Sequence, residues 1–380
     1  MGTVVSRDAR RRWAAVVAAT GVLVGMLAAV PVLRSTVAVG AATTTPAEVR
    51  QRALASASVA YTAVGESRGG LALPDVGGFG DLATLLGGTT RTRIWWDGPR
   101  RWRVDTVDAA GERDTYGLAT STTTWDYGSR RLATVTGDPS VRLPRADDLV
   151  APNAGRRLLS AVGPDDRLSA LPPQRIDGRT TDGLRVVPAS ARSTLARADV
   201  WVDRETGLPL RVVVTARGGA DALVSEVSGV RTGRPPADVL DPPSPPTARR
   251  SLDSAPDLVA RVAQRSPWDL PDELAGLPAS TQVVDGASTY GTGLTRVLVL
   301  PLPGRVAREV VGNATRAGSV EEELPGGSVV RIGSSLLNVE LVRGEDRFHA
   351  YVVAGLVEPA LLDEVATALL ASPPPFREDQ

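Results

Sequence analysis

Few side chains in this sequence could carry nucleophilic or acid–base chemistry. Among the 380 residues there is no Cys and no Lys, and the single His is His349. These absences exclude a cysteine nucleophile, a Schiff-base lysine, a P-loop lysine, disulfides and the acylated cysteine of a bacterial lipoprotein. A lone histidine also argues against a Ser-His-Asp triad or a multi-histidine metal site. His349 falls within a predicted strand, where we expect a hydrogen-bonded structural histidine, with a partner contact as the alternative.

Three of the runs of adjacent carboxylates are candidates for chemistry or binding. Asp147-Asp148 and Asp165-Asp166 could pair as general acid and base, but both lie in turn-like sequence without a basic or nucleophilic partner at an informative spacing. A glycosidase-like pair stays open as a minor alternative. The run Glu321-Glu322-Glu323 is more typical of a solvated face than of a metal or partner site. We therefore predict no catalytic residue, no metal and no cofactor.

The best candidates for a binding surface lie on two consecutive predicted strands. Ile94 and Trp96 share one face of the first strand, Trp102 and Val104 share one face of the second, and Gly98-Pro99 forms the turn. A lipid site needs an apolar cleft with a partly polar rim, because the chain must leave water while the head group stays hydrated. We predict that these four side chains line an apolar cavity, and plain core packing is the alternative.

The loop that precedes these strands could cover such a cavity. Residues 65–88 are rich in Gly and Leu and contain few charges. We predict a flap formed by Leu71, Leu73, Phe79, Leu82, Leu85 and Leu86. Ordinary loop packing is an equally open alternative.

The elements that position these residues are mostly short strands. Residues 198–214 alternate as strand, turn and strand, with Asp203 to Gly207 as the turn and Gly207 free to adopt positive φ. Similar alternation from Thr89 onward predicts an antiparallel meander that curls or closes. A helix is predicted over residues 46–60, with Thr45 as N-cap and Glu48 at the capping-box spacing. The fold class is therefore α+β.

A Pro-rich stretch divides the chain. Residues 238–246 favour a semi-rigid linker, and a helix is predicted from Asp253 to Gln264. We predict a first domain over residues 43–235, a linker and helix over 236–265, a smaller α+β domain over 266–371 and a disordered tail over 372–380.

The N-terminus has the pattern of a targeting segment over residues 1–42. Arginines at positions 7 and 10–12 precede an uncharged, mostly apolar run from 13 to 33, which is long enough to cross a bilayer. Gly40-Ala41-Ala42 could serve as a cleavage site, so a retained anchor and a cleaved signal both stay open. Either alternative places the remaining chain outside the cytoplasm. The formal net charge of zero predicts no nucleic-acid binding.

Four stretches of the predicted sheet share a family pattern. They are Trp201-Val202-Asp203 with residues 206–211, Ile94-Trp95-Trp96-Asp97-Gly98-Pro99 with Trp102-Arg103-Val104, Thr124-Trp125-Asp126-Tyr127, and Ile176-Asp177-Gly178-Arg179 with Leu184-Arg185-Val186. These stretches resemble strands of the LolA-like superfamily, which contains lipoprotein carriers and the sigma-E regulators of the MucB and RseB type. The resemblance covers roughly residues 45–232.

Motifs after the linker distinguish the branches of that superfamily. Three of them are similar to parts of the second domain in MucB and RseB regulators. The start of that domain is similar to Pro267-Trp268-Asp269-Leu270-Pro271, its first long strand to residues 289–295, and its strand-to-helix exit to residues 352–359. The carriers have a single domain. The chain therefore resembles the two-domain, regulatory branch.

The resemblance implies a half-open antiparallel β-barrel that holds a lipid or a lipoprotein acyl chain, followed by a smaller α+β domain. It also implies a non-catalytic, extracytoplasmic regulator that binds a transmembrane anti-sigma factor. The possible N-terminal anchor departs from those soluble regulators. A lipid or lipoprotein carrier working with an export system is the alternative function.

Overall fold

The computed structural model describes residues 44–70, 87–108, 111–137, 145–254, 268, 270–284, 287–316, 318–346 and 348–375. The targeting segment and all six flap candidates lie outside these residues. In the described ranges, no helix is both long and apolar enough to cross a membrane.

Within the described residues, the first sheet has 12 strands in the order β12-β6-β5-β4-β3-β2-β1-β11-β10-β9-β8-β7. Neighbouring strands are antiparallel except for β12 and β6, which are parallel. The sheet is not closed, because β12 and β7 form two separate edges. Its strands are β1 (Tyr61–Gly69), β2 (Thr89–Gly98), β3 (Arg101–Asp108), β4 (Gly111–Gly117), β5 (Ser121–Asp126), β6 (Arg131–Thr136), β7 (Arg167–Ile176), β8 (Arg179–Val187), β9 (Leu195–Asp203), β10 (Pro209–Ala216), β11 (Asp221–Thr232) and β12 (Arg249–Ser254).

Among the described residues, three helices pack against one face of this sheet, which we call the helix face. They are α1 (Pro46–Ala55), α2 (Ala146–Leu149) and α3 (Ala151–Ala161). The predicted capping box of α1 is confirmed, since the Thr45 hydroxyl accepts from the Glu48 backbone N–H while the Glu48 carboxylate accepts from Thr45. A 3-10 turn over Ser56–Ser58 ends the helix earlier than predicted.

The predicted hairpin of residues 198–214 is confirmed by the β9–β10 pair. The Asp203 N–H donates to the Leu208 carbonyl at 2.9 Å, and Gly207 has a φ of 75°. The strands are buried on both faces rather than half-buried, because the polar residues are paired instead of solvated. Asp199 accepts two bonds from Arg185 at 2.6 and 2.7 Å, and Asp203 accepts from Arg179 at 3.1 Å.

The Pro-rich stretch is packed against the sheet. A 3-10 turn over Ala237–Leu240 buries Leu240, and β12 follows it as an edge strand beside β6. The helix predicted from Asp253 does not begin there, because Asp253 still pairs with Val135 in β12. The rest of that predicted helix lies outside the described residues.

A second sheet of eight strands follows, in the order β13-β14-β15-β16-β20-β19-β18-β17 among the described residues. The helices α4 (Gly304–Arg316) and α5 (Pro359–Ala371) pack on it. Its strands are β13 (Glu273–Leu274), β14 (Leu277–Val284), β15 (Ala287–Thr292), β16 (Thr295–Pro301), β17 (Glu321–Leu324), β18 (Gly327–Gly333), β19 (Asn338–Gly344) and β20 (Ala350–Gly355). The α+β class predicted from the sequence is confirmed.

The two sheets contact each other through the β8–β9 connection. The Thr194 N–H donates to the Leu356 carbonyl at 3.0 Å, and the Glu358 N–H donates to the Arg192 carbonyl at 2.8 Å. Arg192 also forms a two-point ion pair with Glu364 of α5, at 2.6 and 2.8 Å. The second sheet is thus joined to the first by backbone and side-chain bonds together.

Candidate ligand-binding face

The four predicted cavity residues share the helix face of β2 and β3. Ile94 pairs with Val104 and Trp96 pairs with Trp102 in the β2–β3 register. All four are buried, with relative exposures of 1 to 6%. They therefore sit between the sheet and the helices, while the flap predicted to cover them falls outside the described residues.

Tyr61 extends this group into a ladder of three aromatic rings. It lies directly opposite Trp96 in the β1–β2 pair. The Tyr61 and Trp96 rings stack with centroids 6.4 Å apart, and the Trp96 and Trp102 rings stack at 6.1 Å with only 13° between their planes. Each such pair contributes about 0.5–1.5 kcal/mol beyond its buried area. The helix face thus presents a continuous apolar, polarizable surface across three strands.

Two arginines from the helical layer lie over this ladder. The Arg156 guanidinium carbon is 5.4 Å from the Trp96 ring centre, and the Arg145 guanidinium carbon is 5.8 Å from the Trp102 ring centre. Both separations fall in the range of a cation–π contact. The Trp96 indole N–H donates to the Ala57 carbonyl at 2.9 Å, which fixes the ring against the turn after α1.

Arg145 and Arg156 differ in their charge partners. Arg145 forms an ion pair with Asp147, with 3.1 Å between Nε and Oδ1. Among the described residues Arg156 has no carboxylate partner, and it donates instead to the Asn153 amide oxygen at 2.5 Å and to Ser56 Oγ at 3.4 Å. Burial lowers the pKa of Arg156, since a desolvated guanidinium is less stable than a hydrated one.

Gly117 makes room for the ladder. A Cβ built at this position would lie 2.0 Å from Cε2 of Trp102, closer than any real contact. Gly117 pairs with Trp102 across β3 and β4, so the indole lies over the glycine backbone. The sequence pattern alone does not indicate Gly117, Tyr61, Arg145 or Arg156 as site residues. Tyr61 is the one with a usable signal, because it is an aromatic residue at the start of a strand, β1.

The opposite face of the same strands carries a buried charge network. Arg103 donates to both carboxylate oxygens of Asp105 at 2.6 and 2.8 Å, and to Asp114 at 2.9 Å. The 3-10 turn of residues 237–240 covers the group, and the Val239 carbonyl accepts from Arg103 at 3.4 Å. Burial, opposed by Arg103 but reinforced by the neighbouring Asp114 charge, raises the pKa of Asp105 to about 6.

This network also contains the acidic cluster best suited to a metal among the described residues. One oxygen from each of Asp105, Glu112 and Asp114 lies within 4.8 Å of the others. The Arg103 guanidinium already binds the two buried carboxylates, so it occupies the position from which a cation would neutralise them.

Five of the seven carboxylates considered from the sequence have structural contacts, namely Asp147, Asp148, Asp166, Glu321 and Glu322. Asp166 accepts from the N–H groups of Gly163, Ala189 and Leu294 at 2.9 to 3.0 Å, and the last of these belongs to the second sheet. Asp148 pairs with Arg157 at 2.8 Å. Glu321 and Glu322 lie on the exposed edge strand β17 and pair with arginines of β19 and β18.

His349 lies just before β20 rather than within a strand as predicted, and it has the expected role of a hydrogen-bonded structural histidine. Its Nδ1 is bonded to the Asp346 carboxylate and its Nε2 lies 3.0 Å from the Pro374 carbonyl. Its ring also stacks on Trp268, with centroids 3.9 Å apart. Pro374, within the tail predicted to be disordered, is buried in this contact.

Comparisons with known proteins identify similar solved structures. No family model and no curated protein matches the chain. The chain is similar over 85% of its length to the Pseudomonas aeruginosa MucA/MucB complex, covering 97% of that chain at 18% identity and a TM-score of 0.45. It is also similar to MucB in complex with MucA(peri), with 85% and 97% coverage, 19% identity and a TM-score of 0.43.

A LolA superfamily protein from Nitrosomonas europaea is also similar to part of the chain. It matches 53% of this chain and 99% of its own length at 12% identity, with a TM-score of 0.26. These three solved structures, two of MucB and one of a LolA superfamily protein, carry the names of the groups that the sequence motifs resemble.

Proposed function

We propose that this chain is a non-catalytic, extracytoplasmic protein that binds a lipid or acyl chain on the helix face of its first sheet. We further propose that it regulates an envelope stress or sigma-factor pathway through a membrane partner, a transmembrane anti-sigma factor. The observation that carries the proposal is the aromatic ladder of Tyr61, Trp96 and Trp102 beneath a layer of helices.

The ladder supports a ligand role because of what covers it. The described cover consists of short helices attached to the sheet partly by polar contacts. Arg52 of α1 reaches the buried carboxylate of Asp182 on β8 at 2.6 Å, and the Ser225 hydroxyl of β11 donates to the Leu149 carbonyl at the end of α2. Polar attachments can exchange with water, so separating the helices from the rings costs less than opening a fully apolar interface.

The second sheet supports a regulatory role over a carrier role. It is joined to the first sheet through Arg192 and Asp166, so a change on one sheet has a physical route to the other. A carrier needs only the ligand-binding sheet. A transport ATPase and permease as the functional partners, in place of an anti-sigma factor, would favour the carrier alternative.

The ligand claim is tested in intact cells with a photoactivatable, clickable fatty acid. We expect cross-links from the isolated chain to map to β2 and β3, and we expect Trp96→Ala with Trp102→Ala to remove most of them. Val107→Ala is the matched control, because Val107 lies on β3 but is 46% exposed. Equal labelling of all variants, or no labelling at all, would contradict lipid binding on this face.

The partner claim is tested by capture with the ectodomain of a single-span anti-sigma protein encoded beside a sigma factor. We expect retention of the full chain on the ectodomain but not on an unrelated ectodomain. A clean negative result would remove the regulatory proposal while leaving the ligand claim intact.

The location of the chain is part of the proposal. We propose that residues 13–33 hold it to the outer side of the cytoplasmic membrane. N-terminal sequencing of the mature protein tests this, because a mature chain beginning at Thr43 would have lost the anchor and would be secreted.

A further inference from the structure

Arg156 is the member of the helix face that apolar packing alone does not explain. It projects from α3 onto the Trp96 ring, is partly buried, and among the described residues bonds only the neutral oxygens of Asn153 and Ser56. Within the described residues no Asp or Glu forms an ion pair with it. Buried charges in proteins are normally paired, because an uncompensated charge carries a large desolvation cost.

A second, independent feature lies beside the same ring. The Tyr61 hydroxyl is fully buried and has no hydrogen-bond partner in the described part of the chain. Tyr61 stacks on the Trp96 ring over which Arg156 lies. Buried hydroxyl groups are normally bonded, so an orphaned donor next to an unpaired cation indicates a missing acceptor.

Arg145 provides an internal comparison. It occupies the equivalent position over the neighbouring ring, Trp102, and it is neutralised by Asp147. Among the described residues, one cation of the ladder is therefore already paired and the other is not. The asymmetry places a single uncompensated positive charge at one point of an apolar surface.

We propose that Arg156 and Tyr61 bind the anionic head group of an amphiphile whose apolar chain lies along the Trp96 and Trp102 rings. The ligand class is an acyl or alkyl chain that ends in a carboxylate or a phosphate. The guanidinium supplies a charge-assisted pair of donors and the Tyr61 hydroxyl supplies a third. This inference rests on the proposed function, since it specifies the chemistry of the ligand on the same face.

The test is a competition assay on the full chain in its native membrane fraction. A photoactivatable palmitate labels the chain, and hexadecanoic acid, hexadecyl phosphate, hexadecanol and inorganic phosphate compete separately. We expect both anionic amphiphiles to compete about tenfold or more better than hexadecanol, as one charge-assisted contact implies. Inorganic phosphate should not compete, and effective competition by it would overturn the amphiphile assignment in favour of a free anion.

Variants connect the preference to the two residues. We define the acid-to-alcohol ratio as the competing strength of hexadecanoic acid divided by that of hexadecanol. In Arg156→Gln this ratio should fall to about one while hexadecanol still competes, and Arg156→Lys should retain part of the preference. Tyr61→Phe should lower the ratio without weakening hexadecanol. Arg91→Gln, which removes the same charge from an arginine 74% exposed on β2, should leave the ratio unchanged.

The outcomes separate the inference from the proposed function. A wild-type ratio near one, or an unchanged ratio in Arg156→Gln, would overturn the head-group assignment even though acyl compounds compete. Failure of every acyl compound to compete would overturn the proposed function itself. Retained hexadecanol competition in Arg156→Gln shows that the variant is folded.

Discussion

Asp363 and Glu364 are neighbours on α5, yet their carboxylates bind arginines of different sheets. Asp363 is paired with Arg331 of β18, whereas Glu364 is paired with Arg192 of the first sheet. The same turn of α5 is therefore bonded to the second sheet through Asp363 and to the first sheet through Glu364. A change in how α5 packs on β19 and β20 would therefore reach the contact between the sheets.

Breaking the Arg192–Glu364 pair should loosen the contact between the sheets without unfolding either sheet. In Glu364→Gln the two-point bond to Arg192 loses its charge, and we expect faster hydrogen exchange at the Thr194 and Glu358 amides, which bond across the contact. High salt should have the same effect on the wild type, because both carboxylate and guanidinium are partly exposed. Glu205→Gln, at a residue whose side chain is 84% exposed, is the control. Unchanged exchange at both amides would contradict a role for the pair.

Glu340 should make the second sheet less stable as the pH rises toward neutrality. Burial, and then the Asp363 charge, raise the pKa of Glu340 to about 7 from the usual 4.5, and its Oε2 is buried without a hydrogen-bond partner among the described residues. Between these two values the folded state holds the proton more tightly than the unfolded state. The free energy of unfolding should therefore fall as the pH rises from about 4.5 to about 7, by up to about 3 kcal/mol, and should lose nothing more above that.

Urea denaturation across this pH range measures the effect. Glu340→Gln, which keeps an acceptor for Arg331, should flatten the dependence and be more stable than the wild type at pH 8. A wild-type stability that rises with pH over this interval would contradict the assignment. The control is Glu323→Gln, on an exposed position of β17.

Local pattern was enough to predict much of the first sheet. The alternation of Ile94, Trp96, Trp102 and Val104 identified one face of β2 and β3 because strand side chains alternate strictly, and a turn residue such as Gly207 has few conformations to choose from. These properties depend on a few neighbouring residues and not on contacts with distant parts of the chain.

Features that depend on distant residues could not be predicted, because a local pattern holds no information about which distant residues will be in contact. The side chains of Arg103 and Asp105 alternate like a solvated face, but residues 237–240 cover them. Asp166 lies in an ordinary turn, and its role follows from Leu294, 128 positions later. Arg156 could not be predicted as a site residue, because it contacts Trp96 only in the folded chain.

Removing Arg103 should be among the most damaging single changes in the first sheet. Its guanidinium holds two buried carboxylates, those of Asp105 and Asp114, whose exposed fractions are at most 1%. In Arg103→Gln both carboxylates lose their partner, and we expect the free energy of unfolding to fall by about 3–5 kcal/mol at pH 7. Protonation removes the unpaired charge, so the difference in the free energy of unfolding between this variant and the wild type should be smaller at pH 5.

Denaturation at the two pH values provides the measurement. Arg93→Gln serves as the control, since the Arg93–Glu112 pair, which joins β2 to β4, is 3.6 Å long and partly exposed, and such pairs contribute about 0–1 kcal/mol. A deficit in Arg103→Gln that is as small as the control, or that is larger at pH 5, would contradict the network.

Gly117→Ala should disturb the aromatic ladder from beneath. The added Cβ would lie 2.0 Å from Trp102 Cε2, so the indole must move or β4 must shift. Overpacking of this kind costs about 1–3 kcal/mol, measured by urea denaturation. Because Trp102 stacks on Trp96, the same substitution should lower fatty-acid cross-linking to β2 and β3. Gly218→Ala, where a Cβ meets nothing within 4 Å, should change neither quantity. Normal stability together with normal cross-linking in Gly117→Ala would mean that the ladder geometry does not govern ligand binding.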